Sequence, residues 1–470
     1  MTLTTRNVIV IPILMALIML SVSCEKESDS IRNEWKVEGG IGFLDVLNAR
    51  SLIIAGGSNL KSSGLEPGPG TSLFKITEEG VFQEIKYYRI DTIYVETEEG
   101  IKTELDSVEL TQKIFPVHVF NVTEDYLIAC FDEENPGGLP FEYNFLVRKS
   151  DGAVFTLPGY RPTIRPYYWN FGQGKMFGNE DGSEVIQHDN EGNVYFLAVW
   201  AIYKLSLQDP DNLTFQRLTA DGSSGSGVDN FRVNGLGHIV YTAGGTRYRY
   251  NSGRLAYPSK GVLPYWVGFD NNFYHAERET YTPGGEGYPM VERITLDNSQ
   301  DEPVYDQIGL VVHPESVYTS AQGSFMFRLK NHNKIVLARF GDDMGQVGRL
   351  VTEVYNDEMQ VRTFAMEDLG ITDINFGGNS DNYYYLAGMD GNQPVLVKVD
   401  PSTFPHTATY LVPRGELDIF NMVVSSDDVI TFHALRMSNG RTIIGEISTS
   451  GNITEYEEMG NEVMQLVKLN

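Results

Sequence analysis

Short apolar runs with a two-residue period, separated by clusters of Gly, Asn, Asp and Ser, fill most of the chain. The clearest example lies between Asp381 and Phe404. Residues 383–388 predict one strand, 389–394 a turn and 395–399 a second strand. In the second, Val395, Val397 and Val399 alternate with Leu396 and Lys398. Aromatic and β-branched side chains suit a pleated surface, and alternation gives the strand two different faces.

This unit recurs. An apolar–charged–apolar mark ahead of a turn occurs at Lys75, Lys204, Arg249, Arg339 and Lys398, with weaker copies at Arg148, Arg293 and Glu446. Successive marks are 73, 56, 45, 44, 46, 59 and 48 residues apart. A hairpin with a short polar turn precedes each mark, as at Asp189-Asn190-Glu191-Gly192-Asn193 and Asp270-Asn271-Asn272. Another turn and a fourth strand follow, as at Thr77-Glu78-Glu79-Gly80 before Val81. Four-stranded propeller blades repeat at roughly 40–45 residues, in rings of about 4–8. The spacing therefore predicts an all-β chain: a β-propeller of eight four-stranded blades, with seven as the alternative. Blade one is read from strands at 43–47, 52–55 and around Lys75. A strand over 463–469 is placed to pair with an early blade and close the ring. The longest gap holds an extra hairpin, with strands at 87–96 and 101–110.

The first residues follow a different pattern. Arg6 precedes an apolar run over 8–20 that is too short to span a membrane comfortably, and it reads as the core of a signal peptide. The run ends in Leu20-Ser21-Val22-Ser23-Cys24. The expected organisation is a signal peptide at 1–23, a flexible tether at 24–34 and one propeller domain at 35–470. The motif resembles the lipobox of bacterial lipoproteins, departing from it at Ser21, where the pattern prefers Leu. That resemblance implies a lipidated Cys24 and a membrane held through it. Glu25, Glu27 and Asp29 just behind Cys24 resemble the export signal of Bacteroidetes surface lipoproteins. The implied location is the outer membrane, facing the cell exterior, with the periplasmic face as the alternative.

Composition narrows the partners. Without residues 1–23 the chain has 447 residues and a formal charge of −28. So acidic a body disfavours nucleic acid and anionic membrane surfaces. Apart from Cys24 the only cysteine is Cys130, in the apolar run Tyr126-Leu127-Ile128-Ala129-Cys130-Phe131. Once Cys24 is acylated no intrachain disulfide remains, and Cys130 is read as a small buried hydrophobe.

Catalytic signatures are absent: there is no HExxH, GxSxG, P-loop or dinucleotide fingerprint. His188, His238, His275 and His433 lie in or beside predicted strands and are read as structural, so no metal or cofactor is expected. The acidic turns at 189–193 and 209–212 lack a complete calcium loop. Asp29-Ser30-Ile31, Asp91-Thr92-Ile93 and Asp106-Ser107-Val108 resemble the O-glycosylation triplet of Bacteroidetes secreted proteins.

In a propeller the connections between second and third strands, and those between blades, gather on one face. Here that set holds the long segments 56–72, 132–142, 158–181 and 277–289. The candidate ligand residues lie within it: Arg161, Arg165, Tyr167, Tyr168, Trp169, Tyr281 and Tyr288. Aromatic faces suit sugar rings or peptide, and guanidinium forks suit carboxylates. The expected function is a non-catalytic binding or scaffold module for a glycan, a peptide or a partner protein. The alternatives are a propeller enzyme acting on polysaccharide, as a lyase or glycoside hydrolase, and a structural subunit of an envelope complex.

Overall fold

The computed structural model describes residues 41–56, 70–97, 100–111, 114–133, 141–157, 186–198, 201–208, 213–219, 228–243, 246–249, 253–254, 265–278, 289–295, 304–310, 324–339, 350–358, 361–458 and 463–469. Their strands form eight four-stranded antiparallel sheets and one three-stranded sheet. Seven of the eight are meanders of consecutive strands. The other is composite: Ala49–Ala55, Ser72–Thr77 and Phe82–Glu84 are joined by Val463–Lys468 from the far end of the chain. We number the sheets from this composite one in chain order.

The first strands are Val463–Lys468 in sheet one, then Ile114–Asn121, Ile186–His188, Val228–Val233, Tyr265–Val267, Ser324–Leu329, Asp373–Asn379 and Leu417–Val424 in sheets two to eight. Neighbouring first strands touch from sheet six through seven, eight and one to two, and again from three through four to five. They are the inner edges of sheets arranged about an axis, and the protein is a β-propeller. The predicted closing strand, Val463–Lys468, pairs antiparallel with Ala49–Ala55, matching Leu52 to Val467 and Ile53 to Leu466.

Burial explains why both faces of most strands are apolar. In the third strand of sheet seven, Gln393–Asp400, the side chains of Val395, Val397 and Val399 join the core shared with sheet six. Leu396 joins the core shared with sheet eight. Sheet seven is thus sandwiched, and its two-residue alternation divides side chains between two neighbours rather than between core and water. Lys398 keeps its charge at the surface by lying over the Tyr383 ring, 3.7 Å from its centroid.

Three details differ from the sequence reading. The hairpin turn of sheet seven is two residues, not six: Asp390 pairs with Gln393, and Gly391 takes φ +60°, which a glycine adopts at little cost. Phe43–Leu44 does not belong to sheet one. It pairs with Tyr87–Thr97, and with Gly100–Glu109 these strands form the three-stranded sheet, so the extra hairpin is present but has a third strand. The Tyr87 hydroxyl donates to the Ile114 carbonyl at 2.7 Å, fixing this sheet's base to sheet two. Finally, the charged mark falls on the third strand everywhere except at Arg339, which ends the second strand of sheet six, Lys334–Arg339. The third strand there is Leu350–Tyr355, and its charged residue is Glu353.

Candidate functional site

Antiparallel meanders put the connections of each sheet at two ends. First-to-second turns in sheets two to eight contain four or five residues each. Several of them are hydrogen-bonded to a neighbouring sheet. Asn190 N donates to the Gly235 carbonyl at 2.8 Å, and Asn234 Nδ2 donates to the Asn271 carbonyl at 2.7 Å. Asn331 N donates to the Asp381 carbonyl at 3.1 Å, and the Tyr385 hydroxyl donates to Asp428 Oδ1 at 3.0 Å. These contacts link sheets three to four, four to five, six to seven and seven to eight. Within a turn, Asp189 accepts from the backbone N–H groups of Glu191 and Asn193, from Asn193 Nδ2 and from the Tyr195 hydroxyl, at 2.7–2.9 Å. A carboxylate has about four acceptor sites. Asp189 is therefore spent on holding its own turn, which agrees with reading this stretch as a turn former. The second acidic stretch, 209–212, lies outside the described residues.

The opposite end carries the long connections. Residues 56–71, 134–140, 279–288 and 340–349 join second to third strands in sheets one, two, five and six. Residues 157–185 and 311–323 join sheets two to three and five to six. The segments 311–323 and 340–349 escaped sequence reasoning, because the Arg339 mark was assigned to the wrong strand. All seven candidate ligand residues, Arg161, Arg165, Tyr167, Tyr168, Trp169, Tyr281 and Tyr288, and also Cys24, lie outside the described residues. The structure fixes only the strands that launch and receive their segments: Val154–Thr156 and Ile186–His188 for the first, Phe273–Arg278 and Pro289–Thr295 for the second.

Two buried charge networks resemble acid–base machinery in composition. In sheet six Glu353 is fully buried. Its Oε1 meets His406 Nε2 at 2.8 Å and Lys334 Nζ at 2.7 Å, and its Oε2 meets Arg362 Nη2 at 2.8 Å. The other nitrogen of His406, Nδ1, lies 2.7 Å from the Tyr384 hydroxyl. Neutral imidazole satisfies both contacts if Nε2–H donates to Glu353 and Nδ1 accepts from Tyr384. Burial opposes the Glu353 charge, but the His406 and Lys334 hydrogen bonds overcome it and pull its pKa down to about 2. Such a carboxylate stays ionised near neutral pH and is committed to its partners. Its place between sheets six and seven makes it a clamp. Glu446, the mark of sheet eight, does the same toward sheet one. It pairs with Arg50 and accepts from the Tyr456 hydroxyl at 2.8 Å, while Thr431 links it to Ser51.

The inner edge itself has a regular feature that the sequence did not disclose. Five first strands carry a bulge, leaving Val117, Asp229, Asn375, Phe420 and Met464 without a partner on the second strand. Each lies four positions before the last residue of its strand. Bulges bend a strand and re-aim its side chains. Phe420 is 47% exposed although it sits mid-strand on an inner edge, so it faces the central channel. Its ring meets His433 edge-on at 5.5 Å. Among the described residues no three His, Cys, Asp or Glu side chains are grouped to hold a metal ion, and His188, His238, His275 and His433 lie on different sheets or turns.

No family model matches the chain, and no curated protein matches it significantly. Similar solved structures include a structure described as the Dos1 propeller, at 10% identity and TM-score 0.41, covering 84% of this chain and 90% of that one. The β-propeller domain of the Trilobed protease from Pyrococcus furiosus matches at 7% identity and TM-score 0.39, covering 74% and 100%. The Synechocystis apocarotenoid oxygenase matches at 11% identity and TM-score 0.37, covering 91% and 94%. Likeness at these levels carries no argument about chemistry.

Proposed function

We propose that this chain is a non-catalytic binding or scaffold propeller, held at the outer membrane by lipid on Cys24 and presenting its long connections to a glycan, a peptide or a partner protein. The observation that carries this reading is the inequality of the two ends. One is closed by short turns hydrogen-bonded from sheet to sheet. The other bears connections of seven to 29 residues between rigid strands. Binding residues concentrate on loops set on a stiff scaffold. In the longest of these connections Arg161, Arg165, Tyr167, Tyr168 and Trp169 combine anion-directed forks with flat aromatic surfaces, and Tyr281 and Tyr288 extend the set from sheet five. Against a charge of −28, the arginine pair admits an acidic group while the rest of the surface repels unselected polyanions.

The test is a glycan array and an envelope-protein pull-down using the chain from residue 25 onward. Wild type is compared with Trp169→Ala and Arg165→Ala. The reading expects a captured ligand whose affinity falls in Trp169→Ala with an unchanged melting temperature. It also expects Arg165→Ala to weaken an acidic ligand more than its neutral analogue. Capture that survives both changes would reject this face as the site. Cleavage of a captured polysaccharide would replace the binding reading with an enzymatic one.

A further inference from the structure

The inner edge of sheet eight gathers polar side chains that no other described residue satisfies. Val423 and Ile444 pack into the core shared with sheet one. His433 pairs with Ile444, and Asn421 pairs with His433, so both face sheet one as well. Ile419 packs toward sheet seven, so Asp418 and Phe420 on either side of it project from the other side of the strand. The bulge at Phe420 sets it and Asn421 on that same side, in accord with the contact between the Phe420 and His433 rings. Asp418, Phe420, Asn421 and His433 thus share one side of the sheet at the channel. Asp418 is the second residue of its strand, so the group lies in the half of the channel nearer the long connections.

Three of the four side chains have polar groups left unmet. Among the described residues no hydrogen bond or ion pair reaches the Asp418 carboxylate or the Asn421 amide. His433 Nε2 is buried without a partner. Asp418 is partly buried, and burial alone raises its pKa, so no cation of the chain offsets the cost of its charge. The buried carboxylates of the clamps differ: Glu353 holds Lys334, Arg362 and His406, and Glu446 holds Arg50. Beside the unpaired carboxylate, Phe420 offers an exposed aromatic surface. A carboxylate and a ring on one wall are complementary to a cation, which gains a charge-assisted hydrogen bond from the first and attraction to the quadrupole of the second. A primary ammonium has three N–H donors, and the Asp418 carboxylate and the Asn421 carbonyl both accept. Neutral His433 places no competing positive charge on the wall.

We propose that Asp418, Phe420 and Asn421 form a cation subsite on the channel wall of sheet eight, taking the protonated primary amine of a small ligand whose body lies against the Phe420 ring. The acidic chain as a whole draws cations toward it. The subsite goes beyond the loop reading: its ligand is cationic rather than acidic, and none of its residues lies in the long connections.

The experiment is calorimetry in low salt at pH 7 on the chain from residue 25, with three probes: glucosamine, phenethylamine and uncharged N-acetylglucosamine. Each is titrated into wild type, Asp418→Asn and Phe420→Leu. At least one amine should bind wild type, with N-acetylglucosamine weaker by about tenfold or more, and Asp418→Asn should cost that amine a similar factor. Phe420→Leu should weaken it severalfold. Tighter glucosamine would identify an amino sugar, and tighter phenethylamine an amine on an apolar body; either order supports the subsite. Absence of binding by both amines overturns it, as does amine binding unchanged in either folded variant. Without probe, Asp418→Asn should melt no lower than wild type, because nothing described is bonded to the carboxylate; a lower melting temperature would assign Asp418 a structural role and overturn the proposal. If Asp418→Asn does not fold, Phe420→Leu carries the binding comparison. Trp169→Ala should bind the amine as wild type does, so failure of the loop reading and failure of this one are read separately.

Discussion

Acid should destabilise this propeller through one buried imidazole. His433 lies on the second strand of sheet eight, Ile430–Arg436, with 6% of its surface exposed and its Nε2 without a hydrogen-bond partner. Burial alone pushes its pKa down from 6.5 to about 4. The unfolded chain therefore takes up a proton between these values that the folded chain refuses. Stability is intact above pH 6.5 and falls as pH drops through the window toward 4. Linkage puts the loss at about 2 kcal/mol by pH 5 and about 3 kcal/mol by pH 4. His406, whose pKa is also lowered by burial, adds a loss of the same sign. The comparison that isolates His433 is urea unfolding at pH 7 and pH 5 for wild type and His433→Gln. The glutamine cannot titrate, so wild type should lose about 2 kcal/mol more than the variant between the two pH values. His406 is common to both proteins and cancels. Equal losses would show that His433 is solvated or paired in the folded chain, and the reasoning about the inner part of sheet eight would fail.

Gln465→Leu should destabilise by about 2–4 kcal/mol in the same assay, because the Gln465 amide satisfies both Val119 N–H and Val119 C=O, and each buried unpaired group costs roughly 1–3 kcal/mol. A loss below 0.5 kcal/mol would mean that water replaces the amide. Glu353→Gln should cost about 3 kcal/mol at pH 7, near the low end for breaking a buried pair because Lys334 and Arg362 are partly solvated. Since the folded Glu353 pKa is depressed, its contribution should persist down to pH 4.5 and vanish toward pH 2; a wild-type-like melting temperature for the variant would contradict the clamp. Cys24→Ala should move the protein from the membrane to the soluble fraction, and an unchanged membrane fraction would reject the lipid anchor.

The repeat was legible because a propeller sheet is local. Strands such as Tyr384–Asp390 and Gln393–Asp400 are neighbours in sequence, so turn formers and alternation mark each hairpin directly. The closing strand was legible for a related reason: Val463–Lys468 is a strand pattern with no hairpin partner beside it. The error at Arg339 has a physical origin. Residues 340–349 separate the second and third strands of sheet six, and an Arg at the end of Lys334–Arg339 mimics the mark that Glu353 actually supplies. Phe43–Leu44 was misplaced because an apolar dipeptide carries no information on which edge it joins.

The polar residues of the inner edge were illegible for a deeper reason. Sequence patterning treats a polar residue within a strand as one that faces water. In this ring the first strand of every sheet has one side without a neighbouring strand, and the backbone groups on that side still need partners. Side-chain amides supply some of them. Gln187 of sheet three donates to the Phe231 carbonyl at 2.9 Å and accepts from Val233 N at 2.8 Å, so it acts on sheet four as a short piece of extra strand. Gln465 treats Val119 of sheet two in the same way, and Asn379 of sheet seven donates to the Arg328 carbonyl at 3.0 Å. These residues are polar because they are buried beside an open edge, the reverse of the usual inference. Arg328 of sheet six does half of the same task, its Nη1 donating to the Val267 carbonyl of sheet five; a guanidinium cannot accept a hydrogen bond, so it serves a C=O and leaves the N–H groups to amides such as Gln187 and Gln465.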